Sequence, residues 1–453
     1  MFANLRSANG SPLGFNLYLN GAGSTENPYT PGDHIEGFVS INTAGEVPPG
    51  RLMVILQGIW ALRCIRCIAR KVTKTLPGKS SIGVGQAMVS RSKSEQIFLR
   101  SNRTFNPMDY TDVEVIEGLR TYRFAFSFEI PTTLPLRVCK HRTQSLAVYE
   151  SHLRIPPTMG NSYGDPSDPT CPTDKLACSV QIAYTIHAML LSPSTRGSHA
   201  SVASEIKPIQ IIPSFDPEPP REAFGSQLYC TFRERNFKDR LWTRHTGRLT
   251  VSASQPEPLN LGYINPTELQ NPCTTAVIDL NFDQKGSINP PQLCSLTTRL
   301  TAVTFYGEVP WESYPDLLVG KSSFADHGRG MDWKEMPISK MCVESVRWIE
   351  KPAYSPCDQF PPPHLALGSE SPSTIQHAVS IVVPITAPKD VYLVPTFHSC
   401  LISRVYLLEF SISYKQSDSR ILTSHLSLRV PIQVIVQSKA NTGSSENVTS
   451  RPL

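Results

Sequence analysis

From Tyr122 to Ile130 the large side chains fall on every second residue: Tyr122, Phe124, Phe126, Phe128 and Ile130. Arg123, Ala125, Ser127 and Glu129 lie between them. Side chains of a strand alternate faces, so this spacing predicts a strand with one aromatic and one polar face. Each buried ring removes about 150–250 Å² from water, so the aromatic face requires a second sheet to cover it. Pro131 and Pro135 cannot donate to a ladder and end the strand.

The same period recurs along the chain. Phe15, Leu17 and Leu19 share one face, and the next strand carries Ile35, Phe38, Val39 and Ile41, after a turn at Tyr29–Asp33. Leu52 to Trp60 is a longer apolar run that predicts burial on both faces. Gln96–Leu99, residues 179–188 (Val180, Ile182, Tyr184, Ile186, Ala188) and Ile206–Ile212 read as further strands. Alternation returns at Ala276, Ile278, Leu280 and Phe282, and at Tyr406, Leu408, Phe410, Ile412 and Tyr414. It ends with Leu426, Leu428, Val430, Ile432, Val434 and Val436. The Gly- and Ser-rich stretch 78–94 and the Pro- and Ser-rich stretch 351–376 read as exposed loops, and residues 152–160 as a Pro-Pro turn.

Half of the segment Pro213–Pro220 is proline, which predicts an extended linker. The expected organisation is all-β: a sandwich over residues 1–212, a linker over 213–223, a second sandwich over 224–437 and a disordered tail over 438–453. Composition agrees, since 40 prolines in 453 residues, about 9% against a typical ~5%, suit short strands joined by loops. A net charge of +5, spread along the chain, leaves room for an acidic partner but does not mark a nucleic-acid binder. Eleven cysteines without framework spacing, no signal-peptide core at Met1–Arg6 and no run of ~20 apolar residues lead to the expectation of a reduced, intracellular, soluble protein. The sequons at Asn102 and Asn447 are then chance matches.

Four stretches together resemble the arrestin family, in particular its fungal arrestin-related (α-arrestin) branch. Tyr29–Gly37 looks like the family's Pro-Gly-Asp turn, and Tyr122–Pro135 like its aromatic strand closed by Ile-Pro and Leu-Pro. Lys175–Met189 looks like its Tyr-x-Ile-x-Ala strand, and Val394–Tyr406 like a strand of the second domain. Their order and spacing match over most of residues 10–437. The resemblance implies two immunoglobulin-like arrestin β-sandwich domains in tandem, no catalysis and no cofactor. It implies a cytoplasmic adaptor, peripheral at the plasma membrane or endosome, that binds membrane-protein cargo and links it to a HECT-type ubiquitin ligase or to endocytic sorting machinery. The alternative within the same fold is a retromer-like structural coat subunit or another non-catalytic scaffold. The Pro-Pro-x-Tyr motif that recruits such ligases does not occur; Lys351-Pro352-Ala353-Tyr354 keeps only Pro352 and Tyr354 of it, a degenerate WW-domain ligand.

Other constellations point to weaker chemistry. Arg63, Arg66, Arg70, Lys71 and Lys74, interleaved with Ile65, Ile68 and Val72, could face a phosphorylated cargo tail or anionic lipid. A solvated strand edge protected from pairing has the same composition. The Ser-rich stretches Ser90–Ser101, Ser369–Thr374 and Ser438–Ser450 could take phosphates. Cys64-Ile65-Arg66-Cys67 has metal-site spacing but no second pair, and Cys171 and Cys178 read as structural in the same way. No nucleophile elbow, phosphate loop or paired-histidine motif stands out, and the eleven histidines are scattered along the chain; no metal ligand is expected.

Overall fold

The computed structural model describes residues 5–6, 12–21, 28–44, 50–69, 87–116, 118–160, 180–192, 200–214, 231–238, 245–262, 272–284, 288–315, 328–351, 375–388, 391–416 and 423–436. Among them the chain is mostly strand, with one short α-helix and one 3-10 turn. The first strands are β1 (Leu5–Arg6), β2 (Pro12–Leu19), β3 (His34–Thr43), β4 (Arg51–Ala69) and β5 (Ala87–Phe105). β6 (Asp112–Ile116), β7 (Leu119–Glu129), helix α1 (Leu146–Leu153), β8 (Val180–Ser192) and β9 (Ala200–Ile209) follow. One antiparallel sheet runs β1-β2-β3-β7-β6 and a second runs β5-β4-β8-β9.

The two sheets enclose one core. Leu17, Val39, Phe124, Phe126 and Phe128 come from the first, and Leu56, Trp60, Phe98, Ile182 and Tyr184 from the second. The alternation expected in β7 is realised, with Tyr122, Phe124, Phe126 and Phe128 buried and the residues between them half-buried or exposed. Phe126 lies opposite Gly37 of β3, where a Cβ would meet the Tyr18 carbonyl and the Phe126 ring, so only glycine admits the pairing. The Pro31-Gly32 turn is held from both sides. Gly32 has φ +93, its N–H donates to the Ile130 carbonyl over 2.8 Å, and Asp33 Oδ2 accepts from the Thr30 N–H over 2.7 Å. That positive φ is what a type II turn demands after proline.

The later strands are β10 (Phe232–Lys238), β11 (His245–Ala253), β12 (Leu259–Asn260), β13 (Cys273–Gln284), β14 (Gln292–Gly307) and β15 (Arg329–Cys342). Then come β16 (Ile349–Lys351), β17 (Ile375–Thr386), β18 (Phe397–His398), β19 (Ile402–Lys415), β20 (Thr423–Ile432) and β21 (Val434–Ile435). Sheets β10-β11-β13-β17-β16 and β15-β14-β19-β18, with β20 beside β19, enclose a second core built on Leu280, Phe282, Leu300, Leu408, Phe410 and Leu428. The parallel pair β12-β21 stands apart. The first core does not stop at the strands before residue 210: Val394, Phe397, Cys400, Leu401 and Ile402 belong to it.

Two expectations need correction. The stretch expected as a loop over 78–94 is strand from Ala87 onward, because β5 pairs with β4 as far as Ala87 opposite Ala69. Glycine and serine content hid a strand whose partner supplies the ladder. The strand expected at Ile206–Ile212 lies earlier, at Ala200–Ile209; Ile206 is exposed, and Ile211 instead makes a parallel bridge with Tyr29. The linker beyond Ser214, most of the 351–376 loop and the tail 438–453 lie outside the described residues. Among the described residues no helix is long and apolar enough to cross a membrane.

Candidate metal centre

After β7 the described stretch up to Gly160 carries no long element, yet it is anchored. Leu134, Ile155 and Met159 enter the first core, and the Leu134 N–H donates to the Leu153 carbonyl over 2.6 Å. Within it α1 starts at Ser145, which is extended at φ −148 and accepts from the Val148 N–H over 3.3 Å, an ordinary N-cap. The helix turns Val148, Ser151 and His152 inward. Its last turn, carrying His152, and the preceding loop, carrying Cys139 and His141, converge on the turn between β18 and β19.

That turn holds Cys400. Cys139, His141, His152 and Cys400 place one potential ligand atom each within 4.8 Å of the others. Cys139 Sγ lies 3.6 Å from His141 Nε2 and 3.6 Å from His152 Nδ1, and these two nitrogens are 3.2 Å apart. The Cys400 sulfur lies within 4.8 Å of the Cys139 sulfur. Three of the four residues are buried and His141 is half-buried.

A second layer orients the rings. His152 Nε2 is 2.9 Å from His398 Nε2, and His398 Nδ1 in turn makes a short hydrogen bond with Ser403 Oγ. With Ser403 accepting, His398 carries its proton on Nδ1 and accepts at Nε2. His152 then carries its proton on Nε2 and leaves the Nδ1 lone pair facing the cysteines. Tyr314 closes the outside, its ring 4.8 Å from that of His398 and its hydroxyl donating to the Ala147 carbonyl over 3.3 Å.

Burial sets the protonation. It pushes the thiols of Cys139 and Cys400 up, Cys400 well above the usual range and further through the neighbouring Cys139. It pulls His141 down, and it lowers His152 to about 3, with His141 beside it adding to the effect. At neutral pH the four groups are uncharged unless a cation takes the place of the thiol protons.

Sequence reasoning found no metal pairing among the histidines, and the fold brings two of them together with two cysteines. Cys139-x-His141, eleven residues before His152, was the local signal; Cys400 is too distant in the chain to be paired with it by spacing. The residues singled out in the sequence fall elsewhere. Arg63 and Arg66 lie in β4, their side chains outside the described residues, as are Arg70, Lys71, Lys74, Pro352 and Tyr354. Cys64 and Cys67 lie in β4 likewise, and Cys171 and Cys178 are not described. No protein-family model matches the chain, and no curated protein matches it.

Proposed function

We propose that the chain is a non-catalytic, arrestin-like adaptor of two tandem β-sandwiches that binds membrane-protein cargo from the cytoplasmic side and links it to sorting machinery. One observation carries the reading. The stretches behind the resemblance fall on a turn and on strands: the Pro-Gly-Asp turn before β3, the aromatic strand β7, the Tyr-x-Ile-x-Ala strand β8, and β18–β19. Sheet pairs closed over apolar cores leave function to loops, edges and the seam between the cores. The basic stretch Arg63–Lys74 is the proposed contact for a phosphorylated cargo tail or anionic lipid, and Pro352 with Tyr354 a weakened ligase-docking site.

Proximity labelling in the native cell, followed by capture from solubilised membranes, tests the reading. The expected result is recovery of integral membrane proteins in transient complexes. A stable stoichiometric assembly on native size exclusion would replace the adaptor with a coat subunit. Recovery of neither membrane protein nor ligase would remove both.

A further inference from the structure

We propose that Cys139, His141, His152 and Cys400 bind one Zn2+ in a closed tetrahedral site that clamps the β7–β8 segment onto the β18–β19 turn. The inference stands apart from the adaptor reading and rests on geometry.

Zinc holds thiolate sulfur at about 2.3 Å and imidazole nitrogen at about 2.0–2.1 Å in a tetrahedron. The edges of that tetrahedron are about 3.6 Å between sulfur and nitrogen and about 3.3 Å between nitrogens. The observed separations of 3.6, 3.6 and 3.2 Å are close to three of those edges, and Cys400 offers its sulfur within 4.8 Å of the other ligand atoms. Cys139 Sγ also lies 3.9 Å from His141 Nδ1, so the His141 ring turns on binding to aim a lone pair at the ion. With Ser403 accepting, the His398–Ser403 pair behind His152 turns the His152 Nδ1 lone pair inward. Such outer hydrogen bonds are the usual means by which metal-binding histidines are oriented.

Ligand chemistry selects the metal. Two thiolates with two imidazoles in a tetrahedral array suit Zn2+ and offer nothing to Mg2+ or Ca2+, which take oxygen. Binding displaces the two thiol protons to solvent, and the two thiolates cancel the ion's charge, so the buried site ends neutral. Four protein ligands fill the coordination shell and leave no position for substrate, which makes the site structural rather than catalytic. Its effect is topological. His152 already hydrogen-bonds His398, and the ion adds a second tie between a segment from before β8 and the turn after β18.

The test uses the full chain, purified under reductant. Elemental analysis is expected to give about one zinc per chain. Exchange for Co2+ is expected to give the intense visible bands of a tetrahedral ion with a thiolate charge-transfer band in the near ultraviolet. Cys400→Ser and His141→Ala are expected to lose the stoichiometric metal, while Cys294→Ser and Cys342→Ser, away from the cluster, keep it. Where a cluster variant does not fold, the cobalt spectrum of the unmodified chain decides. A folded, reduced chain that takes up no zinc from an equimolar solution, a weak octahedral cobalt spectrum, or a Cys139–Cys400 disulfide persisting under reductant would each overturn the proposal.

Discussion

Ser403 hydrogen-bonds His398, which hydrogen-bonds His152; with the Ser403 hydroxyl accepting, the pair leaves the His152 Nδ1 lone pair free for a metal. Ser403→Ala removes the acceptor at the end of that relay while deleting a single buried oxygen. The expected result is a loss of zinc affinity of about 10–100-fold with the fold retained, the usual cost of removing an outer partner. Competition with a chromophoric chelator measures it, and unchanged affinity would show that the relay orients nothing. Position also decides the weight of each residue along β7. Phe126 is 4% exposed and its ring lies 5.8 Å from that of Phe128. Phe126→Ala is expected to cost about 3–5 kcal/mol through lost transfer energy and the cavity left behind. Ser127 on the other face makes only a 3.5 Å contact to His34, so Ser127→Ala should stay within about 0.5 kcal/mol. Chemical denaturation of both variants gives the comparison, and equal costs would remove the one-sided burial.

At the scale of elements, β6 and β7 form a contrast. β7 is paired on both sides, by β3 and by β6, whereas among the described residues β6 pairs only with β7, and every one of its residues is exposed. Val113, Val115 and Ile116 present apolar surface on that edge, beside Asp112 and Glu114, which pair with Arg123 at 3.3 and 3.0 Å. Charges on an edge strand discourage pairing with another chain. Exposed ion pairs of this kind contribute about 0–1 kcal/mol, so they guard the edge more than they stabilise it. Amide hydrogen exchange is expected to be fast along Asp112–Ile116 and slow through Tyr122–Phe128, since only the latter opens with its core. Comparable protection of the two strands would mean that another surface covers β6.

For the whole molecule, the seam matters more than either core alone. Segment 394–402 contributes to the first core although Leu393 before it and Tyr406 after it build the second, and Arg404, fully buried, reaches Met159 with Nη2 3.5 Å from Sδ. Around this junction the Gln144 N–H donates to the Glu312 carbonyl over 2.7 Å and Gln210 bonds the Tyr392 hydroxyl. A ligand bound only by the folded state stabilises it by about 2.7 kcal/mol at a hundredfold excess over its dissociation constant. Removing zinc with a chelator under reductant is therefore expected to lower the melting temperature and to expose the Cys139 and Cys400 thiols to modification. Both effects should reverse when zinc is restored. Calorimetry and thiol counting on the same sample check this, and identical melting with and without chelator would contradict a clamp.

Alternation of large and small side chains determined β2, β7, β8, β13, β19 and β20 without help from the fold, because a pleated strand facing a core tolerates little else, and the apolar runs at Ile35–Ile41 and Leu52–Trp60 marked β3 and the first half of β4. The turn at Pro31-Gly32 was legible for a similar reason: its demands on φ are met by the two residues themselves. The first part of β5 was not legible, because its Ser- and Lys/Arg-rich sequence, following a Gly-rich one, becomes strand by pairing with β4, and a partner's ladder leaves no trace in local composition. The Cys-His cluster was beyond the sequence for a stronger reason. Its members come from a loop, the last turn of a short helix and a turn some 250 residues onward, and no spacing rule spans that distance. Only the packing of the β7–β8 segment against the β18–β19 turn brings four modest side chains to one point.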